Sequence, residues 1–253
     1  MKSTWFGSRY RYDFCSLIER GGGYSQMMYN SFDHWLELAW LTLRQVAQKF
    51  ATGDLDDKVE QRVLQIQKQS KDWPKYAEAL SVMAIGMEVD GPDFLGLCFQ
   101  ELSLNDKSWK GQCFTPMAVC RCMAQMTLHD ARPEHGKTMW LSEPACGGGA
   151  MVMATSEVLQ DKGFYPWHYH WQCIDIDWRC AAMTYIQTTL LGIPAVVING
   201  NALTLEVRES HRNLISLMHP PKAERQVTEL HSSLANVSEP VIDVGEFVQL
   251  ELF

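Results

Sequence analysis

The segment Leu141-Ser-Glu-Pro-Ala-Cys-Gly-Gly-Gly-Ala150 reads as a strand that runs into a glycine-rich turn and on into a helix. Such a turn lets a ligand approach the backbone closely, and the helix start offers unpaired N–H groups. A glycine triplet is also ordinary turn punctuation, so its meaning depends on its company. Asp175, in Cys173-Ile-Asp-Ile-Asp177, falls at the end of the next expected strand. There a dinucleotide-binding sheet carries the carboxylate that accepts hydrogen bonds from ribose hydroxyls. Asp175 follows Gly147 by 28 residues, against the usual spacing of about 20. The aromatic insert Phe164-Tyr-Pro-Trp-His-Tyr-His170 accounts for the excess.

Parallel strands must position these groups, and the sequence supplies candidates. Short apolar runs at Thr138 to Leu141, Trp171 to Ile176, Ala195 to Ile198 and Leu214 to Met218 read as four strands. They are separated by stretches that hold helices, at Gly149 to Leu159 and Arg179 to Leu191, the latter ended by Gly192 and Pro194. Upstream the texture is helical. Leu36, Ala39, Trp40, Leu43, Ala47 and Phe50 recur at helical spacing behind an expected N-cap at Asp33. A polar break at residues 52–57 precedes a second helix from Lys58 to Lys68, and Pro74 opens a third. The expected organisation is a helical unit over 1–105, an α/β unit over 106–221 and an acidic flexible tail over 222–253.

A chain of 253 residues with 46% hydrophobic and 21% charged residues is folded, and it contains no stretch apolar enough to span a membrane. With no apolar run behind its basic N-terminus, it is expected to be cytoplasmic. Eight cysteines at irregular spacing, without a Cys-x-x-Cys pair, read as reduced thiols. Cys120 and Cys122 face different directions on an expected helix from Pro116 to Leu128, and no zinc-like partner spacing is present. His168 and His170 read as packing or as an adenine-side contact, and the methionines as core filling. The net charge of −8 repels phosphate at long range, so any affinity for DNA needs a local basic surface or an assisting partner.

Taken in order, Gly111-Gln-Cys-Phe-Thr-Pro116, Glu143-Pro-Ala-Cys-Gly-Gly-Gly149, the Asp-Ile-Asp strand end and Gly200-Asn-Ala-Leu203 resemble the adenine-N6 DNA methyltransferases. The modification subunit of type I restriction systems is the nearest pattern, and Asp93-Phe-Leu-Gly96 with Glu101 is similar to a helix preceding its Phe-Thr-Pro segment. The resemblance covers about 90–221. It implies a Rossmann-like, S-adenosylmethionine-dependent methyltransferase sheet of the α/β class, truncated and preceded by an N-terminal helical domain. It also implies S-adenosylmethionine as cofactor. Phe114, Thr115 and Pro116 would close over its methionine end, while Glu143, Ala145, Cys146, Gly147 and Gly149 wrap it. Asp175 would hold the ribose and Asn201 would contact the adenine.

The family's catalytic motif, Asn-Pro-Pro-Phe or Asp-Pro-Pro-Tyr, is replaced by His219-Pro220-Pro221-Lys222. A neutral imidazole offers one acceptor nitrogen where the family has an oxygen, and Lys222 cannot stack on a flipped base. If the chain is active, His219 and the carbonyl of Pro220, with Pro221, orient the target amine. Only 32 residues follow Pro221 and they read as tail, so no target-recognition domain is expected among them. The end of the tail, Gln249-Leu250-Glu251-Leu252-Phe253, resembles the bacterial sliding-clamp-binding peptide, with Gln249, Leu250, Leu252 and Phe253 as its anchors. Two readings follow. One is a DNA adenine-N6 methyltransferase recruited to DNA by the sliding clamp. The other is an inactive methyltransferase-fold adaptor that binds the clamp or a restriction-modification partner. A separate specificity subunit is compatible with either, and no metal or membrane is expected.

Overall fold

The computed structural model describes residues 7–22, 28–103, 114–221 and 250–251. Five helices come first: α1 (Arg9–Gly22), α2 (Met28–Thr52), α3 (Asp57–Gln69), α4 (Pro74–Asp90) and α5 (Phe94–Ser103). The Asp56 carboxylate accepts the Lys58 and Val59 N–H groups at the start of α3, and Pro74 stands where its missing N–H costs nothing. Aromatic rings bind the unit together, Phe14 meeting Trp35 edge-on at 4.7 Å and Phe94 at 5.5 Å. Arg11 pairs with Glu101 at 3.0 Å and so fastens α1 to α5. Asp33 does not cap α2: that helix begins earlier, and the carboxylate lies within it, facing Arg179 at 4.0 Å.

The remaining elements are α6 (Met117–Thr127), β1 (Met139–Glu143), α7 (Ala150–Asp161), β2 (Tyr169–Asp175), α8 (Trp178–Leu190) and β3 (Ala195–Asn201). They are followed by β4 (Glu206–Arg212), α9 (Leu214–Met218) and β5 (Leu250–Glu251), in a sheet of order β4-β3-β2-β1-β5. Strands β1, β2 and β3 are parallel, with Met139 opposite Tyr169 and Trp171 opposite Ala195. Helices α7 and α8 make the crossovers, so this is one half of a doubly wound α/β sheet. On α6, Cys120 is buried and Cys122 exposed, as their spacing predicts.

The structure corrects one expected strand. Residues 214–218 are helical, because the Asn213 side chain accepts the Ser216 N–H and caps α9. The strand beside β3 is instead β4, which pairs antiparallel from Val196 opposite Arg212 to Asn201 opposite Glu206. Its charged sequence carries no apolar alternation, as suits a solvated edge.

A single buried cluster runs from Phe14, Trp35 and Phe94 through Leu141, Trp171 and Ile186. Helix α2 lies against α8 and α9, and Trp40 stacks towards Trp178. The expected boundary at 105 lies outside the described residues, as does the tail apart from Leu250 and Glu251. Their backbone pairs parallel with Leu141 and Ser142 of β1. No helix among the described residues is long and apolar enough to cross a membrane.

Candidate cofactor site

The glycine turn sits at the carboxyl ends of β1 and β2, the edge of an open α/β sheet where ligands bind. Each glycine of the triplet is required by a different neighbour. Gly147 has φ +53 and Gly149 φ +95, both in the region that disfavours side chains. A Cβ on Gly147 would stand 3.1 Å from the Phe114 ring, and one on Gly149 would stand 3.0 Å from Thr184 Oγ1. Gly148 has no such dihedral, yet its Cβ would meet Asp93 Oδ1 and the Gly96 backbone at 3.0 Å.

Asp175 is placed as expected. Its Oδ2 accepts the Gly147 N–H at 2.8 Å and its Oδ1 accepts the Asp177 N–H at 2.9 Å. Burial raises its pKa, and the backbone N–H groups oppose that shift. Glu143, at the end of β1, accepts the Ala145 N–H at 3.3 Å. Burial lifts its carboxyl to about 7, opposed by that hydrogen bond and aided, least of the three, by the charge of Asp175. The Cys146 N–H donates to Ile174 carbonyl at 2.9 Å, and its buried thiol is pushed well up by burial, so it is inert.

Phe114 stacks on Phe99 with ring centres 5.8 Å apart, and its carbonyl accepts Gln100 Nε2 at 3.3 Å. Phe114, Thr115 and Pro116 line a cavity of about 230 Å³ together with Asp90, Asp93 and Gln100. Asn201 reaches the same edge at the end of β3, but its Oδ1 accepts the Leu203 and Thr204 N–H groups and closes the β3–β4 turn. A second cavity, of about 290 Å³, lies between α2 and β4 beside Arg44, Tyr185 and His211, away from every expected site residue.

The structure does not bring His219, Pro220 and Pro221 to this edge. His170 Nε2 contacts the His219 carbonyl at 2.6 Å, and the Trp167 and His219 rings lie 5.8 Å apart. His170 is the second residue of β2, whereas Asp175 ends it, a separation of about 16 Å at the strand rise of about 3.3 Å per residue. The cause is β4: running antiparallel to β3, it returns the chain to the amino-terminal edge before α9 and His219. Gln249, Leu252 and Phe253 lie outside the described residues.

Sequence reasoning missed several supports of the turn. Thr184 donates its hydroxyl to Gly147 carbonyl at 2.9 Å, and Asn199 donates to the carbonyls of Asp175 and Ile176 at 3.0 and 3.1 Å. The available signal was polar residues interrupting a buried helix, since Thr184, Gln187 and Thr188 are fully buried on α8.

Parallel strands, a glycine turn against an acid-tipped neighbour and a facing aromatic segment define one half of a Rossmann-like α/β fold. Residues 96–215 match the model of the N-6 DNA methylase family, so the resemblance to that family holds over this segment, just under half of the chain. Among solved structures, one match is a putative class I S-adenosylmethionine-dependent methyltransferase from Listeria monocytogenes. It is 11% identical, with a TM-score of 0.35, over 74% of this chain and 51% of that one. The chain therefore spans about half the length of that protein. No curated protein matches.

Proposed function

We propose that this chain binds S-adenosylmethionine at the carboxyl edge of β1 to β3 and is a DNA adenine-N6 methyltransferase-like protein. The observation that carries the reading is the Asp175 carboxylate accepting the Gly147 N–H, which couples a ribose-type acid to a backbone cradle that a Cβ would fill. The residues present fit the cofactor. Asp175 would take the ribose hydroxyls, and Glu143, Ala145, Cys146, Gly147 and Gly149 would wrap the chain. Phe114, Thr115 and Pro116 would cover the methionine end, with Asn201 on the adenine side. Glu143, at the start of the turn, suits a ligand that carries positive charge. When bound, the cofactor supplies an electrophilic methyl group. The protein's own part is to bind, to orient and to exclude water from the cavity beside Phe114.

The placement of His219 favours a second reading for catalysis. With its imidazole near the amino-terminal edge of β2, neither it nor Pro220 and Pro221 orients a target amine at the glycine turn in this arrangement. A cofactor-binding adaptor, engaged with DNA or with a restriction-modification partner such as a specificity subunit, needs no such group. Recruitment by the sliding clamp through Gln249, Leu250, Leu252 and Phe253 fits either reading, because it brings an acidic protein to DNA without a basic surface of its own.

Isothermal titration with S-adenosylmethionine tests the proposal. Saturable binding that Asp175→Ala weakens about tenfold or more supports it. Absence of binding by the folded wild-type chain overturns it.

A further inference from the structure

Behind the glycine turn, a buried side chain reads three elements at once. Gln187 of α8 is fully buried. Its Nε2 donates to Gly148 carbonyl at 2.7 Å and reaches Asp93 Oδ1 at 3.4 Å, and its Oε1 accepts the Leu95 N–H at 2.8 Å. Asp93 is 4% exposed, stands just before α5, and accepts the Gly96 N–H at 3.1 Å. The start of α5 thus presses closely on the turn, so that a Cβ on Gly148 would stand only 3.0 Å from Asp93 Oδ1 and Gly96 Cα and require one of them to give way. A primary amide is the side chain suited to this junction, because one end donates to a carbonyl while the other accepts from an N–H.

We propose, on the reading that this turn holds S-adenosylmethionine, that Gln187 is a positioning residue that locks the glycine turn to α5. The helical unit then sets cofactor affinity, although its residues need not touch the cofactor. Helix α5 carries that influence outward, since Arg11 of α1 pairs with Glu101 near its end. By reciprocity, cofactor binding must tighten the attachment of α5 by the same factor that α5 tightens the cofactor.

Gln187→Glu is the discriminating variant. Glutamic acid is isosteric with glutamine and still donates when protonated, but when ionised it only accepts, and it then opposes Gly148 carbonyl and Asp93. Titrations of the full chain with S-adenosylmethionine would run between about pH 6 and pH 9, with thermal unfolding followed in parallel. The expected result is a deficit against wild type that widens about tenfold across that range while both proteins stay folded. A fall in stability alone would not produce that divergence. Gly148→Ala keeps the test decisive if Gln187→Glu fails to fold. Its Cβ should push α5 off the turn, weaken binding about tenfold and abolish the cofactor-induced slowing of amide exchange in α5. A pH-independent affinity ratio in Gln187→Glu, with Gly148→Ala binding and exchanging as wild type does, overturns the lock and leaves the cofactor reading standing. No binding by wild type overturns both.

Discussion

The Gly147 N–H donates to Asp175 Oδ2 at 2.8 Å, so the glycine turn after β1 is held by the last residue of β2. One carboxylate thereby shapes the cradle and faces the ligand edge. Asp175→Ala should lose both services. A hydrogen bond to a charged group contributes about 1.5–3 kcal/mol, so affinity for S-adenosylmethionine should fall about tenfold or more. Calorimetry that returned an unchanged dissociation constant would refute this assignment.

Cofactor affinity should rise with pH. Burial lifts Glu143 to about 7, so near neutrality much of this carboxyl is protonated before a positively charged ligand arrives. Binding then favours the ionised form and releases a proton, and affinity should strengthen between about pH 6 and pH 8. Glu143→Gln should flatten the profile, which titrations in buffers of different ionisation enthalpy would show directly.

The ligand-free protein should respond to pH in the opposite sense. Glu143 at about 7, Asp93 at about 6 and Asp33 at about 7 are all raised above their unfolded values, mainly by burial. Their contribution is present in full below the unfolded carboxylate values. It is lost as pH rises through the folded values, because the folded state then holds more protons than the unfolded one. Melting temperature should therefore fall between about pH 5 and pH 7.5, and Asp33→Asn with Asp93→Asn should blunt the decline.

Gly149→Ala should destabilise the fold itself. The residue has φ +95, and its new Cβ would stand 3.0 Å from Thr184 Oγ1. Strain of this kind costs about 1–3 kcal/mol, or several degrees of melting temperature for a chain of this size. Differential scanning calorimetry would read the shift.

His219→Ala should leave cofactor affinity within about twofold of wild type, since its carbonyl sits against His170, which precedes Asp175 by about 16 Å of strand. A large loss would mean that His219 reaches the turn after all. Independently, Leu250→Ala with Phe253→Ala should abolish binding of the full chain to a bacterial sliding clamp in a surface-immobilisation assay. Retained binding would remove the C-terminal peptide from the proposal.

Much of the sheet was legible because its signals are local. The run from Leu141 to Ala150 shows strand, turn and helix in sequence, and Gly192 with Pro194 ends α8 where expected. Strand β4 was not legible, since Glu206-Val-Arg-Glu-Ser-His-Arg212 owes its conformation to pairing with β3 rather than to an apolar face. The apolar run Leu214 to Met218 was misread for the converse reason: so short a run fits strand or helix until Asn213 is seen to cap it. The positions of Asp175 at the end of β2 and of Gly147 and Gly149 in the turn were legible from the strand-turn-helix pattern, although the 28-residue gap is longer than the usual spacing of about 20. Thr184, Asn199 and Gln187 were not, because their partners are main-chain atoms distant in sequence, and that pairing exists only once the chain has folded.

The charged strand β4 also closes one edge of the sheet against further strands. Glu206 and Arg208, both exposed and paired at 3.0 Å, place charge on this edge strand, where an incoming foreign strand would have to strip water from them. That flank is guarded against accidental association. The opposite edge is taken by Leu250 and Glu251, whose backbone lies in register with Leu141 and Ser142 of β1, the strand that leads into the glycine turn.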